Sequence, residues 1–143
     1  MIFLVLSHSH VNLGPRLVTT YPGLPDNILL DHLPFLIDFY DPGFFIHEFG
    51  ELKTSNFIFT MDTMKPRGQE EIFMISIAFM TEHYDKVVFR GVLRTFWEEF
   101  KEIKDVGDIF YETNNQSIFC DQKALKIKNI MKALFNSSLK DYQ

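Results

Sequence analysis

A nine-residue stretch that is apolar on both sides of a strand, residues 72–80, most constrains how this chain folds. Successive side chains of a strand point to opposite faces of a sheet, so the stretch divides into two alternating sets. The two sets are Phe73, Ile75, Ile77 and Phe79, and Ile72, Met74, Ser76 and Ala78. Both are largely apolar, which is typical of a strand that is buried on both faces. We therefore predict that residues 72–80 form a central strand of a sheet.

A β-hairpin is predicted at the start of the chain. Residues 1–6 are continuously apolar, and residues 17–21 are rich in β-branched and aromatic side chains, as strands commonly are. Between these two stretches, glycine and proline favour the backbone conformations that turns require. We predict Gly14, Pro15 and Arg16 as the turn motif of this hairpin.

Two more strands are predicted upstream of the central one, at residues 44–49 and 57–61. With residues 72–80 they indicate an antiparallel meander. Residues 44–49 carry more large apolar side chains than one buried face needs. This excess has two explanations, an interface with a partner or a strand buried on both faces within its own domain.

Helices are predicted where apolar residues recur every three or four positions. The first predicted helix follows a cap at Asp26 or Asn27, and its apolar positions are Leu29, Leu33, Leu36 and Tyr40. Pro34 interrupts this helix, so we expect a kink or two short pieces. The second helix, over residues 84–103, has the clearest apolar stripe of the chain.

A third helix is predicted near the end of the chain, capped by Ser117 or Asp121. We expect the tail beyond Asn136 to fray. The resulting element order is β-β-α-β-β-β-α-α. Runs of strands beside separate helices indicate the α+β class, with helices layered on an antiparallel sheet.

Length and composition predict a single domain over residues 1–143 and exclude several function classes. Apolar residues make up 46% and charged residues 23%, values that do not fit a disordered chain. The net charge of -5 does not favour nucleic-acid binding. With Cys120 as the one cysteine, we expect a reducing, cytoplasmic location. The longest apolar stretch is too short to cross a bilayer.

Ser7, His8 and His10 are the residues whose clustering most favours chemistry. Two histidines at alternate positions of a strand face the same way and bind a metal when a third ligand converges, but the sequence provides none nearby. No nucleophile motif surrounds the serine. We therefore expect no enzyme, metal or cofactor, and keep a small-molecule-binding or hydrolytic domain built on these three residues as an alternative.

The final predicted helix is rich in lysine although the chain as a whole is acidic. The lysines concerned are Lys123, Lys126, Lys128 and Lys132. Such a helix favours anionic lipid, which makes a peripheral membrane adaptor a second alternative. The same lysines also suit the solvated side of an ordinary amphipathic helix.

The beginning of the chain resembles the longin-like domains, and in particular the amino-terminal domain of the nitrogen permease regulator-like proteins. The most specific match is FLVLS at residues 3–7, followed by LGPRLV at residues 13–18 and by Tyr21 and Pro22. This pattern is similar to that family's first strand, "G-P-K/R" hairpin turn and second strand. The resemblance covers roughly residues 2–103.

This resemblance implies a longin/profilin-like fold, a five-stranded antiparallel sheet with one helix on one face and two on the other. It also implies a non-catalytic scaffold that dimerises with itself or with another longin or roadblock-type protein. Such scaffolds recruit or regulate small Ras-like GTPases in vesicle trafficking and nutrient signalling. By the same resemblance, the first helix and third strand supply the interface candidates Leu29, Leu33, Leu36, Phe44, Phe45 and Ile46.

The sequence also departs from this family. It ends at Gln143, without the winged-helix regions that follow the domain in the nitrogen permease regulator-like proteins. No heptad segment of SNARE length follows the domain, and the last four residues carry no prenylation signal. We expect either a stand-alone longin-like subunit or a fragment of a longer protein, with membrane contact that is peripheral at most.

Overall fold

The computed structural model describes residues 1–10, 13–24, 30–62, 70–103, 106 and 122–142. Five strands form one sheet, which has helices on both faces. In chain order the elements are β1 (Ile2–His10), β2 (Gly14–Tyr21), a 3-10 helix (Leu33–Asp38), β3 (Gly43–Phe49), β4 (Leu52–Asp62), β5 (Glu70–Phe79), α1 (Lys86–Phe100), α2 (Gln122–Leu134), a π-helical turn (Phe135–Leu139) and a last 3-10 turn (Lys140–Tyr142).

The sheet has the strand order β2-β1-β5-β4-β3, and every neighbouring pair is antiparallel. β5 lies in the middle, and its side chains from Phe73 to Phe79 are all buried. This confirms the central strand predicted at residues 72–80. The α+β class and the predicted arrangement of a five-stranded antiparallel sheet with helical elements on both faces are confirmed as well.

The two faces of the sheet carry separate cores. The face that packs against α1 and α2, here the helical face, is rich in aromatic rings: the ring centroid of Phe73 lies 5.6 Å from that of Phe59 and 5.0 Å from that of Phe100. The opposite face, here the 3-10 face, buries Phe3 and Val5 of β1 and Met74 and Ala78 of β5 together with the 3-10 helix. The aromatic rings of the helical face bury a large apolar area, and two full helices, α1 and α2, cover them.

Helix α1 begins where its capping residue satisfies the first free amides. The carboxylate of Asp85 accepts hydrogen bonds from the backbone N–H groups of Val87 at 2.9 Å and Val88 at 3.2 Å. Its buried side chains recur at helical spacing and are Phe89, Val92, Leu93, Phe96 and Phe100. No helix within the described ranges is long and apolar enough to span a membrane.

The first predicted helix is the main correction to the sequence analysis. Of the two expected forms, a kinked helix is not seen: residues 25–29 lie outside the described residues, and the described part of this region has one short piece, a six-residue 3-10 helix with Pro34 in its first turn. Proline is tolerated there because the first amides of a helix have no partner to lose, so Pro34 begins this helix instead of kinking it. Predicted features at Asp26, Asn27, Leu29, Ser117, Cys120 and Asp121 lie outside the described residues.

The predicted turn motif is also corrected. Gly14, Pro15 and Arg16 are the first three residues of β2, where they pair with the end of β1, and Gly14 has a φ of 74°. Proline is accepted in this strand because β2 lies at an edge of the sheet and needs donors on only one side. β1 and β4 are likewise longer than predicted.

The end of the chain packs onto the sheet and α1, contrary to the expected fraying. Leu139 is fully buried in the helical-face core, and the ring of Tyr142 lies 5.1 Å from that of Phe89. The π-helical turn widens the helix after Leu134, and both of its apolar ends, Phe135 and Leu139, are buried. The apolar contacts of Leu139 and Tyr142 with the helical-face core and α1 hold the tail against the rest of the domain.

Candidate functional site

β3 forms one edge of the sheet. All seven of its residues pair with β4, and no other described strand borders it. The carbonyls of Phe45 and His47 face β4, since they accept hydrogen bonds from the side chains of Asn56 and Thr54. Backbone groups alternate in direction along an antiparallel strand, so those of Ile46 face outwards. Outward-facing groups of this kind are a template for pairing with another chain.

Exposed and half-buried aromatic side chains lie beside this edge on the 3-10 face. We call them the aromatic surface, which consists of Tyr40, Phe45, His47 and Phe49, with Phe39 next to Tyr40 in the chain. Phe39 is 80% exposed. The ring of Tyr40 stacks on Phe45 with centroids 3.8 Å apart, and its hydroxyl shares a 3.0 Å hydrogen bond with Nδ1 of His47. An exposed apolar group next to an open strand is typical of an interaction site.

The predicted interface candidates divide into two groups. Leu33 and Leu36 are buried in the core of the 3-10 face, so they are not on the surface that a partner reaches. Phe44, Phe45 and Ile46 lie on β3, with alternate residues on alternate faces. The structure therefore places the β3 candidates at an accessible edge and buries Leu33 and Leu36, while Leu29 lies outside the described residues.

The surface beside the leucines was missed by sequence reasoning. The 3-10 helix buries Leu33 and Leu36 and leaves Phe35, which lies between them, on the outside, and Phe39 at its end is exposed as well. The sequence offered no signal for the exposure of Phe39, because helical periodicity places this residue, three positions after Leu36, on the same side as the leucines. Phe39 follows this helix directly and is its most exposed ring.

On the helical face, β3 is flanked by cations of α1. The guanidinium groups of Arg90 and Arg94 each lie 5.6 Å from the ring centroid of Phe44, which itself stacks on Phe57 at 4.2 Å. Cations over aromatic faces are attracted by the ring quadrupole. Sequence reasoning did not single out these arginines, although their spacing of four within α1 places them on one side of the helix.

His8 lies on β1, next to the opposite edge strand β2, and forms a buried polar pair with Glu71. Its side chain is fully buried, and Nε2 lies 2.8 Å from Oε2 of Glu71 on β5. Burial lowers the pKa of His8 below its ordinary value, although the hydrogen bond and charge of Glu71 act in the opposite direction. The ring of His10 lies 6.2 Å away. Glu71 was not predicted as a partner, since 63 residues separate it from His8.

The three residues of the alternative chemical site are not brought together. Ser7 pairs with Met74 on the 3-10 face, whereas His8 pairs with Phe73 on the helical face. A serine and a histidine on opposite sides of a sheet are too far apart for proton transfer. Among the described residues, no three or more histidine, cysteine, aspartate or glutamate side chains are arranged to hold a metal ion.

The predicted lysines all belong to α2. Lys126, Lys128 and Lys132 are exposed, and Lys123 is half-buried. The opposite side of the helix is apolar and packs into the helical-face core through Ala124, Ile127, Met131 and Leu134. The lysines thus form the solvated side of an amphipathic helix.

No family model matches the chain, and no curated protein matches it. Among solved structures, the chain is similar to the K. lactis Lst4 longin domain over 99% of each chain, with 17% sequence identity and a TM-score of 0.47.

Proposed function

We propose that this chain is a non-enzymatic interaction module of the longin type. It pairs through β3 and the aromatic surface with itself or with another longin or roadblock-type protein. The paired module recruits or regulates a small Ras-like GTPase in vesicle trafficking or nutrient signalling, in the cytoplasm. The observation that carries this proposal is the open edge of β3 beside exposed aromatic rings.

Two physical arguments support pairing at this place. An edge strand gains backbone hydrogen bonds when another strand is added, and rings beside it supply apolar area that is removed from water. Aromatic residues are also enriched where protein interfaces gain most of their binding energy. The separation of Ser7 from His8 across the sheet supports a role without catalysis.

Phe39→Asp tests the proposal at its most exposed ring. We expect the variant to lose self-association or partner binding, because a carboxylate replaces apolar area in the interface. Leu125→Asp is the matched control: Leu125 is 55% exposed on α2, which packs against the opposite side of the sheet. Sedimentation velocity over a range of concentrations measures self-association, and circular dichroism checks the fold. Equal association of both variants would contradict the proposed surface.

The GTPase step needs a separate experiment. The wild-type chain and Phe39→Asp are used as baits in a lysate of the source organism, with either GDP or a non-hydrolysable GTP analogue added. We expect a longin or roadblock-type protein to be retained by the wild type and lost from the variant, and a small GTPase to be retained in one nucleotide state. A bait that recovers neither class of protein, and that is monomeric alone, rejects the proposal.

A further inference from the structure

β3 has a register in which it pairs completely with a second copy of itself. The strand has seven residues, Gly43–Phe49, and Ile46 is its centre. Only one antiparallel register pairs all seven with the same seven of a second copy, and it places Ile46 opposite Ile46. The outward-facing backbone groups of Ile46 then exchange hydrogen bonds across the symmetry axis.

The same register determines which side chains meet on the helical face. Phe44 and Glu48 lie on that face, two residues to either side of Ile46. Pairing about Ile46 therefore sets Phe44 of one copy opposite Glu48 of the other. Side chains directly opposite in neighbouring strands have Cβ atoms about 4.5 to 5.5 Å apart. Glu48 of the second copy is thus placed beside Phe44 and the cations around its ring.

Those cations have no carboxylate partner among the described residues of the single chain. Over the described ranges, neither Arg90 nor Arg94 forms a salt bridge, and each lies over the ring of Phe44 instead. Their spacing of four puts two like charges on one side of α1, an arrangement that weakens a helix. Glu48 is exposed and lies opposite Lys53 of β4, whose ammonium group lies 5.9 Å from the ring centroid of Tyr84, and Glu48 forms no salt bridge among the described residues. The two guanidinium groups beside Phe44 and the carboxylate of Glu48 therefore place opposite charges at the two ends of β3.

We propose that two copies of this chain join their β3 strands antiparallel about Ile46, with Glu48 of each copy paired with Arg90 and Arg94 of the other. The inference rests on the proposed function, because it uses the same edge, and adds the partner, the register and the charges that fix it. On the 3-10 face this register sets Phe45 beside His47 of the second copy. The two aromatic surfaces then meet and exclude water from the joined sheet.

A charge exchange tests the ion pairs. We expect Glu48→Arg, or Arg90→Glu with Arg94→Glu, to weaken dimerisation on the order of a hundredfold, because each leaves like charges facing across the interface. Combining all three substitutions restores opposite charges, and we expect the dimer to return. The dimer dissociation constant is measured by sedimentation velocity, with circular dichroism as the check on folding.

Matched variants separate this effect from net charge. Glu51→Arg makes the same charge change in the turn after β3, and Lys126→Glu with Lys132→Glu makes the same double change on exposed positions of α2. Both are expected to dimerise like the wild type. A dimer that survives Glu48→Arg, or a triple variant that stays monomeric, overturns the ion pairs. The proposed function still stands in either case if Phe39→Asp disrupts association.

A disulfide tests the register directly. In a chain whose native cysteine is removed by Cys120→Ser, Ile46→Cys is expected to form a dimer-linking disulfide on mild oxidation, since the two Cα atoms face each other across the axis. Leu125→Cys, exposed on α2, is the control and is expected to link poorly. Absence of linkage at position 46, or a wild type that is monomeric at every concentration, overturns the inference and leaves only pairing with a different protein.

Discussion

The two edge strands of the sheet differ in how far they are protected from pairing. β2 begins with Gly14 and Pro15, its register with β1 shifts between Leu6 and Ser7, and the ring of Tyr21 lies 5.5 Å from that of Phe135 near the chain's end. Proline, register shifts and covering segments are all devices that prevent an edge from adding strands. β3 has no proline and a regular ladder. The molecule therefore closes one edge and leaves the other available.

Truncating Phe135, which covers the β2 edge, is expected to have the largest effect on stability. Phe135 is 4% exposed and contacts Tyr21, so Phe135→Ala leaves a cavity beside β2. We expect the free energy of unfolding to fall by about 3 to 5 kcal/mol, as for other buried phenylalanines. Phe39→Ala, at the open edge, should cost less than about 0.5 kcal/mol. Urea denaturation measures both, and similar losses would contradict the difference between the edges.

A proline in β3, like Pro15 in β2, is expected to prevent another strand from pairing at the β3 edge. Ile46→Pro removes an outward N–H, so we expect it to abolish pairing at β3 while the ladder with β4 persists. His47→Pro is the control, because its N–H faces β4 and its loss weakens the sheet itself. Amide hydrogen exchange of β4 and sedimentation velocity distinguish the two variants. Undiminished association of Ile46→Pro would show that backbone pairing at this edge is not used.

Part of this contrast follows from the sequence. The two apolar sides of residues 72–80 predict a central strand, whereas the predicted turn at Gly14, Pro15 and Arg16 does not anticipate that Pro15 lies within the edge strand β2. The excess of large side chains in residues 44–49 indicates an interface as one of two explanations. These signals are local, because strand alternation does not depend on distant residues.

The remaining features depend on contacts that a sequence pattern does not contain. Phe39 follows a helix in which Leu33 and Leu36 are buried, and helical periodicity places it on the same side as these leucines, so its 80% exposure is not contained in that pattern. The pairing of His8 with Glu71 joins residues on two strands far apart in the chain. The cations around Phe44 come from α1, and only the packing of that helix across the sheet brings them to β3.

Protonation of His8 is expected to have the smallest effect on the free energy of unfolding and to act only on the β2 side of the sheet. His8 lies opposite Arg16 of β2, and burial lowers its pKa below 6.5. The unfolded chain therefore binds a proton there at higher pH than the folded chain does. It follows that the free energy of unfolding falls as the pH drops below about 6.5, whereas His8 contributes no pH dependence above that value.

Urea unfolding between about pH 7.5 and about pH 5.5 measures this dependence. We expect His8→Gln to lose part of the decrease, while His32→Gln, at an exposed position, keeps all of it. Hydrogen exchange, corrected for intrinsic rates, should show β2 losing protection at the lower pH before β3 does, because the protonated imidazole lies between β2 and β5. Earlier loss of exchange protection at β3 would contradict this prediction. Protonation of His8 would then not act through β2, and the protection of β2 against strand addition would have a different structural cause from its sensitivity to pH.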